Sequence, residues 1–118
     1  MRIDIHVSQF ELTEALREHT EKRIKFALSW AQQHLRKVSV RLSDINGPRG
    51  GADKSCRIQI PLTGNKDIVV EDVEADLYVA IDRAIERAAR VVGRKLNRQR
   101  EHKHNRIVAM DAYVGEVV

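Results

Sequence analysis

The amino-acid sequence predicts a single α+β domain in which four strands form one sheet and two helices pack on one face of it. Three observations support this prediction. The length of 118 residues suits one domain. Three segments alternate polar and apolar residues and a short fourth segment also reads as a strand, and two segments carry apolar residues at helical spacing. Along the chain these segments run β-α-β-β-β-α. We expect residues 1–100 to form the domain and residues 101–118 to form a flexible C-terminal tail.

The first strand and the first helix have clear local signals. Side chains alternate strictly over residues 2–8, which predicts a half-buried strand. The helix that follows has Thr13 as its expected N-cap and Glu14 in its first turn, where a carboxylate suits the positive helix end. Its buried face is expected to contain Leu16, Thr20, Ile24, Ala27 and Leu28.

Three further strands are predicted before the second helix. Residues 38–43 and 55–62 alternate, and residues 67–71 form a short fourth strand. Pro61 indicates a position that does not donate to the sheet ladder. The glycine-rich connection over residues 44–53 has the composition of a hairpin turn. A phosphate-binding loop is the less favoured alternative, because the Gly-Lys-Ser/Thr signature is absent.

The second helix is predicted from Asp76, as its cap, to about Arg100. At about 100° per residue, five arginines fall within an arc of about 80° opposite the apolar side. We call these five the arginine face: Arg83, Arg87, Arg90, Arg94 and Arg98. A solvated surface is the ordinary explanation for such residues. Here, however, the arginines are like-charge neighbours at i,i+3 and i,i+4, which oppose helix formation unless an external anion neutralises them.

The positive charge of the chain is concentrated in this region. Residues 83–106 hold nine Lys and Arg against two Asp and Glu, whereas the whole chain has a net charge of +4. Guanidinium groups match phosphate oxygens, so this clustering favours nucleic-acid binding. RNA is favoured over DNA, because the arginine face includes none of the Asn, Gln and Ser side chains with which a recognition helix reads bases. Lys22, Arg23 and Lys25 on the first helix, with Arg49 and Lys54, could extend the same surface.

The segment DLYVAIDRAIERAARVVGRKL, residues 76–96, resembles the start of the corresponding helix in the ribosome hibernation-promoting factor and ribosome-associated inhibitor family. LTEALREHTEKRI, residues 12–24, is similar to the first helix of that family. The resemblance covers about residues 1–100 and implies a fold like that of double-stranded-RNA-binding domains. It also implies binding to the small ribosomal subunit, over the tRNA and mRNA path, and silencing of ribosomes under stress or in stationary phase.

The resemblance also assigns site residues. The basic positions after the Tyr-x-Ala-Ile motif match Arg87, Arg90, Arg94 and Arg98, and the arginine of the family's first helix matches Arg23. Phe26 and Ser29 stand where relatives often carry lysine. The length leaves no room for the dimerisation domain of long family members, so we expect a short-form role and a monomer off the ribosome. The candidate rRNA-binding residues are Arg83, Arg87, Arg90, Arg94, Lys95, Arg98, Arg23, Lys22 and Lys25.

Other chemistry is not indicated by the sequence. No nucleophile, acid-base pair or cofactor motif is present, so we expect neither catalysis nor a small-molecule substrate. His102 and His104 lack companions for a metal site, and the calcium-like spacing of Asp44, Asn46 and Asp53 lacks a closing Glu. The lone Cys56, with no signal peptide and no apolar span, indicates a reducing, cytoplasmic location without membrane contact.

Three residues have alternative interpretations. Cys56 falls on the apolar side of its strand and is expected in the core. Trp30 and Tyr78 could stack on bases, but core packing is favoured. Gly93 within the second helix is explained either by close approach of RNA or by simple tolerance.

Two functions therefore follow from the sequence. The first is a hibernation-type translation inhibitor that binds rRNA through the arginine face. The alternative is a modulator of an alternative sigma factor, or of another acidic protein, through the same face.

Overall fold

The structure is a computed structural model that describes residues 1–45, 52–62, 64 and 66–117, with side chains described as far as Arg98. Its elements follow the predicted order β-α-β-β-β-α. The strands are β1 (Arg2–Ser8), β2 (Lys37–Asp44), β3 (Lys54–Ile60) and β4 (Ile68–Glu74). The helices are α1 (Glu14–Leu28) and α2 (Leu77–Val117), and a 3-10 helix over Ser29–His34 extends α1. The predicted α+β class is confirmed.

The four strands form one mixed sheet in the order β1-β2-β3-β4. β1 and β2 are parallel, and α1 makes the crossover that parallel neighbours require. β2, β3 and β4 are antiparallel to one another. β3 ends at Ile60, immediately before Pro61, which agrees with the predicted loss of a ladder donor there. β4 is longer than predicted and extends to Glu74.

Both helices begin at the predicted capping residues. The hydroxyl of Thr13 accepts a hydrogen bond from the backbone N–H of Leu16 at 3.2 Å. The carboxylate of Asp76 accepts one from the N–H of Tyr78 at 2.9 Å. Each side chain satisfies a backbone donor that the first helical turn leaves unpaired.

The core lies between the two helices and one face of the sheet. The strands contribute their inward-facing apolar residues to the core, such as Val40, Leu42 and Ile58. The helix α2 contributes the side that includes Ile81 and Ile85. The opposite face of the sheet has no helix over it among the described residues, and its side chains are mainly polar. The hydroxyl of the buried Thr20 has a hydrogen-bond partner, because it donates to the carbonyl of Leu16 at 2.8 Å.

The helix α2 is longer than the sequence predicts. We expected it to end near Arg100, where the amphipathic spacing fades, but its backbone remains helical to Val117. Residues 101–114 contain neither proline nor glycine, so nothing in the local chemistry ends the helix. Apolar residues recur at helical spacing only where α2 packs against the sheet, so this spacing ends where the packing ends. The flexibility of residues 101–118 stays a prediction.

The glycine-rich connection between β2 and β3 is described only at its base. The N–H of Ile45 donates to the carbonyl of Asp53 at 2.8 Å, and the two strands are paired as a hairpin requires. Residues 46–51, including Arg49, lie outside the described residues, as do the side chains of His102 and His104.

Candidate nucleic-acid interface

The arginine face lies on the exposed side of α2. The opposite side of the helix, including Ala84, Ile85, Ala88 and Val92, is fully buried against the sheet and α1. All five arginines of the face are exposed. The helix thus fixes five guanidinium groups along one rigid, solvent-facing line.

Two members of the arginine face contact the sheet edge. Nη1 of Arg83 lies 3.1 Å from Oε1 of Glu74, at the end of β4. Nη1 of Arg87 donates to the backbone carbonyl of Glu71 at 2.9 Å. Part of the repulsion predicted along the face is therefore relieved within the protein. These contacts also orient the two arginines along β4.

The centre of the arginine face is concave. Arg87, Arg90 and Arg94 line an open groove of about 440 Å³. Among the residues whose side chains are described, Arg90, Arg94 and Arg98 take part in no ion pair. The described residues place no carboxylate against these guanidinium groups, so an anion can occupy the groove without first breaking an ion pair between described side chains.

The candidate rRNA-binding residues of α1 differ in how free their side chains are to contact a phosphate. Lys22 and Lys25 are exposed. Arg23 is half-buried between the helices, where its Nε lies 3.2 Å from Oδ1 of Asp82. Its Nη2 also lies 4.0 Å from Oε1 of Glu86. Arg23 is therefore engaged with α2.

Lys95, the remaining candidate, is half-buried on the side of α2 next to the core residues, apart from the arginine face. The structure thus places Arg90, Arg94 and Arg98 together and exposed, and it places Arg23 and Lys95 away from them.

Trp30 corrects one sequence-based expectation. We favoured core packing for this residue, but its side chain is 59% exposed. It follows α1, in the 3-10 helix, and its indole N–H donates to the carbonyl of Ala27 at 2.7 Å. A Cβ placed on Gly93 would lie 3.7 Å from the ring atom Cη2 of Trp30, so the indole covers α2 beside Arg94. Phe26, on the last turn of α1, is 80% exposed.

Tyr78 is also exposed, and its ring meets that of His19 edge to face, with centroids 4.8 Å apart. Core packing is therefore not its environment either. Short-range patterns could not reveal this, because α1 and α2 meet only in the folded chain.

The open face of the sheet contains a second cationic group that the sequence analysis did not single out. We call it the sheet-face cluster: His6, Lys37, Arg41 and Arg57. These residues line an open depression of about 320 Å³ together with Ser39, Val40 and Gln59. The alternation of each strand predicted which side these residues take. It could not predict that three different strands would place them side by side.

The remaining candidates have structural explanations. Nζ of Lys54 lies 2.7 Å from Asp44 and 3.5 Å from Asp53, so an ammonium group stands between the carboxylates of the calcium-like spacing. Hydrogen bonding to Asp44 raises the pKa of Lys54. Cys56 is fully buried, as predicted, and burial raises the pKa of its thiol from 9.0 to about 12. Within the described side chains, no group of three His, Cys, Asp or Glu residues could hold a metal ion.

Over the part of the chain that the structure describes, no helix combines the length and the apolar character needed to cross a lipid bilayer. Fold and surface together define a small α+β domain with two helices on one side of a four-stranded sheet and a cationic outer surface.

The chain belongs to the family described as sigma 54 modulation protein / S30EA ribosomal protein, whose model matches residues 3–100. The family resemblance noted in the sequence is thereby confirmed. No curated protein sequence matches the chain well enough to add to this assignment.

Two solved structures illustrate the similarity. The N-terminal domain of Protein Y from Thermus thermophilus is 33% identical, with a TM-score of 0.66, and the match covers 80% of this chain and 98% of that one. A ribosomal subunit interface protein from Coxiella burnetii is 18% identical, with a TM-score of 0.70, covering 82% of this chain and 99% of that one. The second supports the fold alone.

Proposed function

We propose that this protein is a hibernation-type, ribosome-associated inhibitor of translation that binds rRNA of the small ribosomal subunit through the arginine face. The observation that carries the proposal is the groove lined by Arg87, Arg90 and Arg94, in which the latter two have no ion-pair partner among the described residues. Family membership supports a ribosomal partner.

The chemistry of the face fits an RNA backbone. A guanidinium group presents paired donors that match two phosphate oxygens, and it is less strongly hydrated than an ammonium group. Contacts to phosphate position the protein without reading sequence. Such binding weakens steeply with salt, because each neutralised phosphate releases counterions.

The mechanism is steric. The protein occupies the tRNA and mRNA path of the small subunit, as the family resemblance implies, and an occupied path cannot accept substrates. No catalytic step, cofactor or small-molecule substrate is part of the proposal, and off the ribosome the protein is a monomer. Arg83 and Arg87, held by contacts to β4, align the face, and Arg90, Arg94 and Arg98 make the phosphate contacts.

The test is co-sedimentation with isolated small ribosomal subunits over a series of salt concentrations. The variant Arg90→Glu/Arg94→Glu removes two cations that form no ion pair within the described part of the protein, so it leaves the fold intact. The matched control, Arg36→Glu/Lys66→Glu, makes the same change in net charge at exposed positions outside the face. Thermal unfolding of each variant checks the fold.

We expect saturable, one-to-one binding for the wild type and the control, weakening as salt rises, and loss of binding for the α2 variant. Equal binding by both variants would refute the assignment of the face. Wild-type binding that never saturates would also refute it. Treatment with nuclease identifies the alternative: an acidic protein partner that stays bound after the RNA is digested.

A further inference from the structure

The sheet-face cluster brings three basic side chains into one row across three strands. His6 on β1 pairs in register with Arg41 on β2, and Arg41 pairs with Arg57 on β3. Neighbouring strands lie about 4.8 Å apart, so these side chains project from adjacent positions on one face. Lys37 and Ser39 on β2 and Gln59 on β3 complete the rim of the depression.

This arrangement opposes the stability of the sheet. Like charges directly opposite each other on neighbouring strands are destabilising, and Arg41 and Arg57 are such a pair. Neither arginine forms an ion pair with another residue whose side chain is described. Lys37 differs, because its Nζ lies 3.2 Å from Oδ2 of Asp4. The row therefore holds two guanidinium groups that no described carboxylate neutralises.

The neighbouring acidic side chains do not act as counterions for Arg41 and Arg57. Asp4 already contacts both Arg2 and Lys37, and hydrogen bonding to Lys37 lowers the pKa of its carboxyl group. Glu71 pairs in register with Arg57 from β4 but makes no ion pair with it. Asp67 accepts a hydrogen bond from the amide of Gln59 at 3.0 Å, at the rim of the depression. None of these three carboxylates forms an ion pair with Arg41 or Arg57.

The depression suits a phosphate group. Its volume of about 320 Å³ exceeds that of one phosphate, and its walls carry hydroxyl and amide groups as well as cations. Arginine forks match phosphate oxygens, and His6 can donate a hydrogen bond in either charge state. An ordinary solvated sheet face would intersperse both signs of charge in contact with one another.

We propose that the sheet-face cluster is a phosphate-binding site, separate from the arginine face, in which Arg41 and Arg57 are the main ligands and His6 and Lys37 contribute. The phosphate comes either from an RNA backbone or from a free phosphate ion. In the first case the protein holds RNA on two sides of its sheet, and only that case builds on the proposed function.

The test is titration of the 15N-labelled full-length protein followed by NMR. One arm adds inorganic phosphate at constant ionic strength, balanced with chloride, and the other adds a short oligouridylate. Both arms use the Arg90→Glu/Arg94→Glu background, so that α2 does not compete for RNA. The result is then independent of whether the arginine face binds ribosomes.

We expect saturable shifts of amides on β1, β2 and β3 around His6, Arg41 and Arg57. These shifts should be lost after Arg41→Gln/Arg57→Gln and kept in the matched control Arg17→Gln/Lys66→Gln, which removes the same charge at exposed sites. Shifts with oligouridylate identify an RNA backbone as the ligand, and shifts with inorganic phosphate alone identify a free ion. Absence of saturable shifts in both arms, or shifts that survive Arg41→Gln/Arg57→Gln, would overturn the proposal.

Discussion

Nε2 of His19 lies 2.8 Å from Oδ1 of Asp82, and this contact joins α1 to α2 on the outer side of the domain. Arg23, one turn further along α1, reaches the same carboxylate oxygen at 3.2 Å. Trp30 then covers α2 near Gly93. The contacts advance in step along both helices, so α1 and α2 run in the same direction, side by side.

We predict that Asp82→Asn lowers the free energy of unfolding by about 1 kcal/mol, because it removes the partly exposed ion pair with Arg23, worth about 0.2 to 1 kcal/mol, and weakens the hydrogen bond with His19. Urea unfolding measures the change, and an unaltered dependence on urea concentration shows that the transition itself is unchanged. Glu86→Gln is the control, since Glu86 is more exposed and lies 4.0 Å from Arg23. Equal stability of Asp82→Asn and wild type would show that Asp82 does not join the helices.

Arg23→Gln should reduce stability more than it reduces ribosome affinity. The guanidinium is half-buried, and its Nε lies beside Asp82 without the alignment of a hydrogen bond. An arginine held by two protein carboxylates has less to offer a phosphate than Arg90 does. Urea unfolding and co-sedimentation on the same preparation separate the two effects, with Arg90→Gln giving the opposite pattern. A large loss of ribosome affinity at unchanged stability would show instead that Arg23 belongs to the rRNA-binding surface.

Replacement of Gly93 by alanine should stabilise the protein by about 1 kcal/mol, since glycine is unfavourable inside a helix. The added Cβ would lie 3.7 Å from Cη2 of Trp30, an ordinary contact distance. Thermal unfolding measures the change, and a lower midpoint temperature would show that the indole packs too closely for a methyl group. Ribosome affinity of Gly93→Ala then distinguishes simple tolerance, which leaves it unchanged, from close approach of RNA, which lowers it.

Trp30 is the only tryptophan of the chain, so its fluorescence reports one position. Because the side chain is 59% exposed, acrylamide should quench it readily in the free protein. Binding of small subunits at the arginine face should shield it, because it lies next to Arg94 along α2. Trp30→Phe supplies the background signal. Unchanged quenching at saturating subunits would show that RNA does not reach this end of the face.

Burial of Cys56 leads to a prediction about alkaline pH. Burial raises the pKa of its thiol from 9.0 to about 12, so above about pH 9 the unfolded chain loses the thiol proton before the folded chain does. The stability contributed by this shift is complete below about pH 9 and is lost as the pH rises toward 12. Urea unfolding at increasing pH measures it, with Cys56→Ala as the control that lacks this dependence. A thiol reagent should modify the native protein only as fast as it unfolds, and rapid labelling would contradict the buried placement.

Periodicity predicted the elements of this fold because each is amphipathic over its own length. Thr13 and Asp76 were identifiable as caps for the same reason, since capping involves residues only a few positions apart. The arginine face also follows from spacing within one helix. Which basic side chains are free to contact RNA does not follow from that spacing. Arg83 and Arg87 contact β4, and Arg23 contacts α2, through residues that lie outside the local pattern of each helix.

The sheet-face cluster shows the same limit more clearly. Alternation places Arg41 and Arg57 on the polar side of their strands, but their adjacency depends on strand order and register, which a single strand does not encode. The end of α2 was predicted too early because apolar spacing marks where the helix packs, and a helix continues until its backbone meets a residue that ends it.

The hydrogen bond from Arg87 to the carbonyl of Glu71 has a consequence for how copies of the protein meet. β4 is the last strand of the sheet, and an outermost strand with unoccupied carbonyl oxygens is a template onto which another chain can add a strand. The guanidinium occupies one such acceptor and brings a positive charge, which repels an identical approaching edge. The side chain of Arg87, which lines the groove, thus also opposes edge-to-edge association of β4 between copies of the protein.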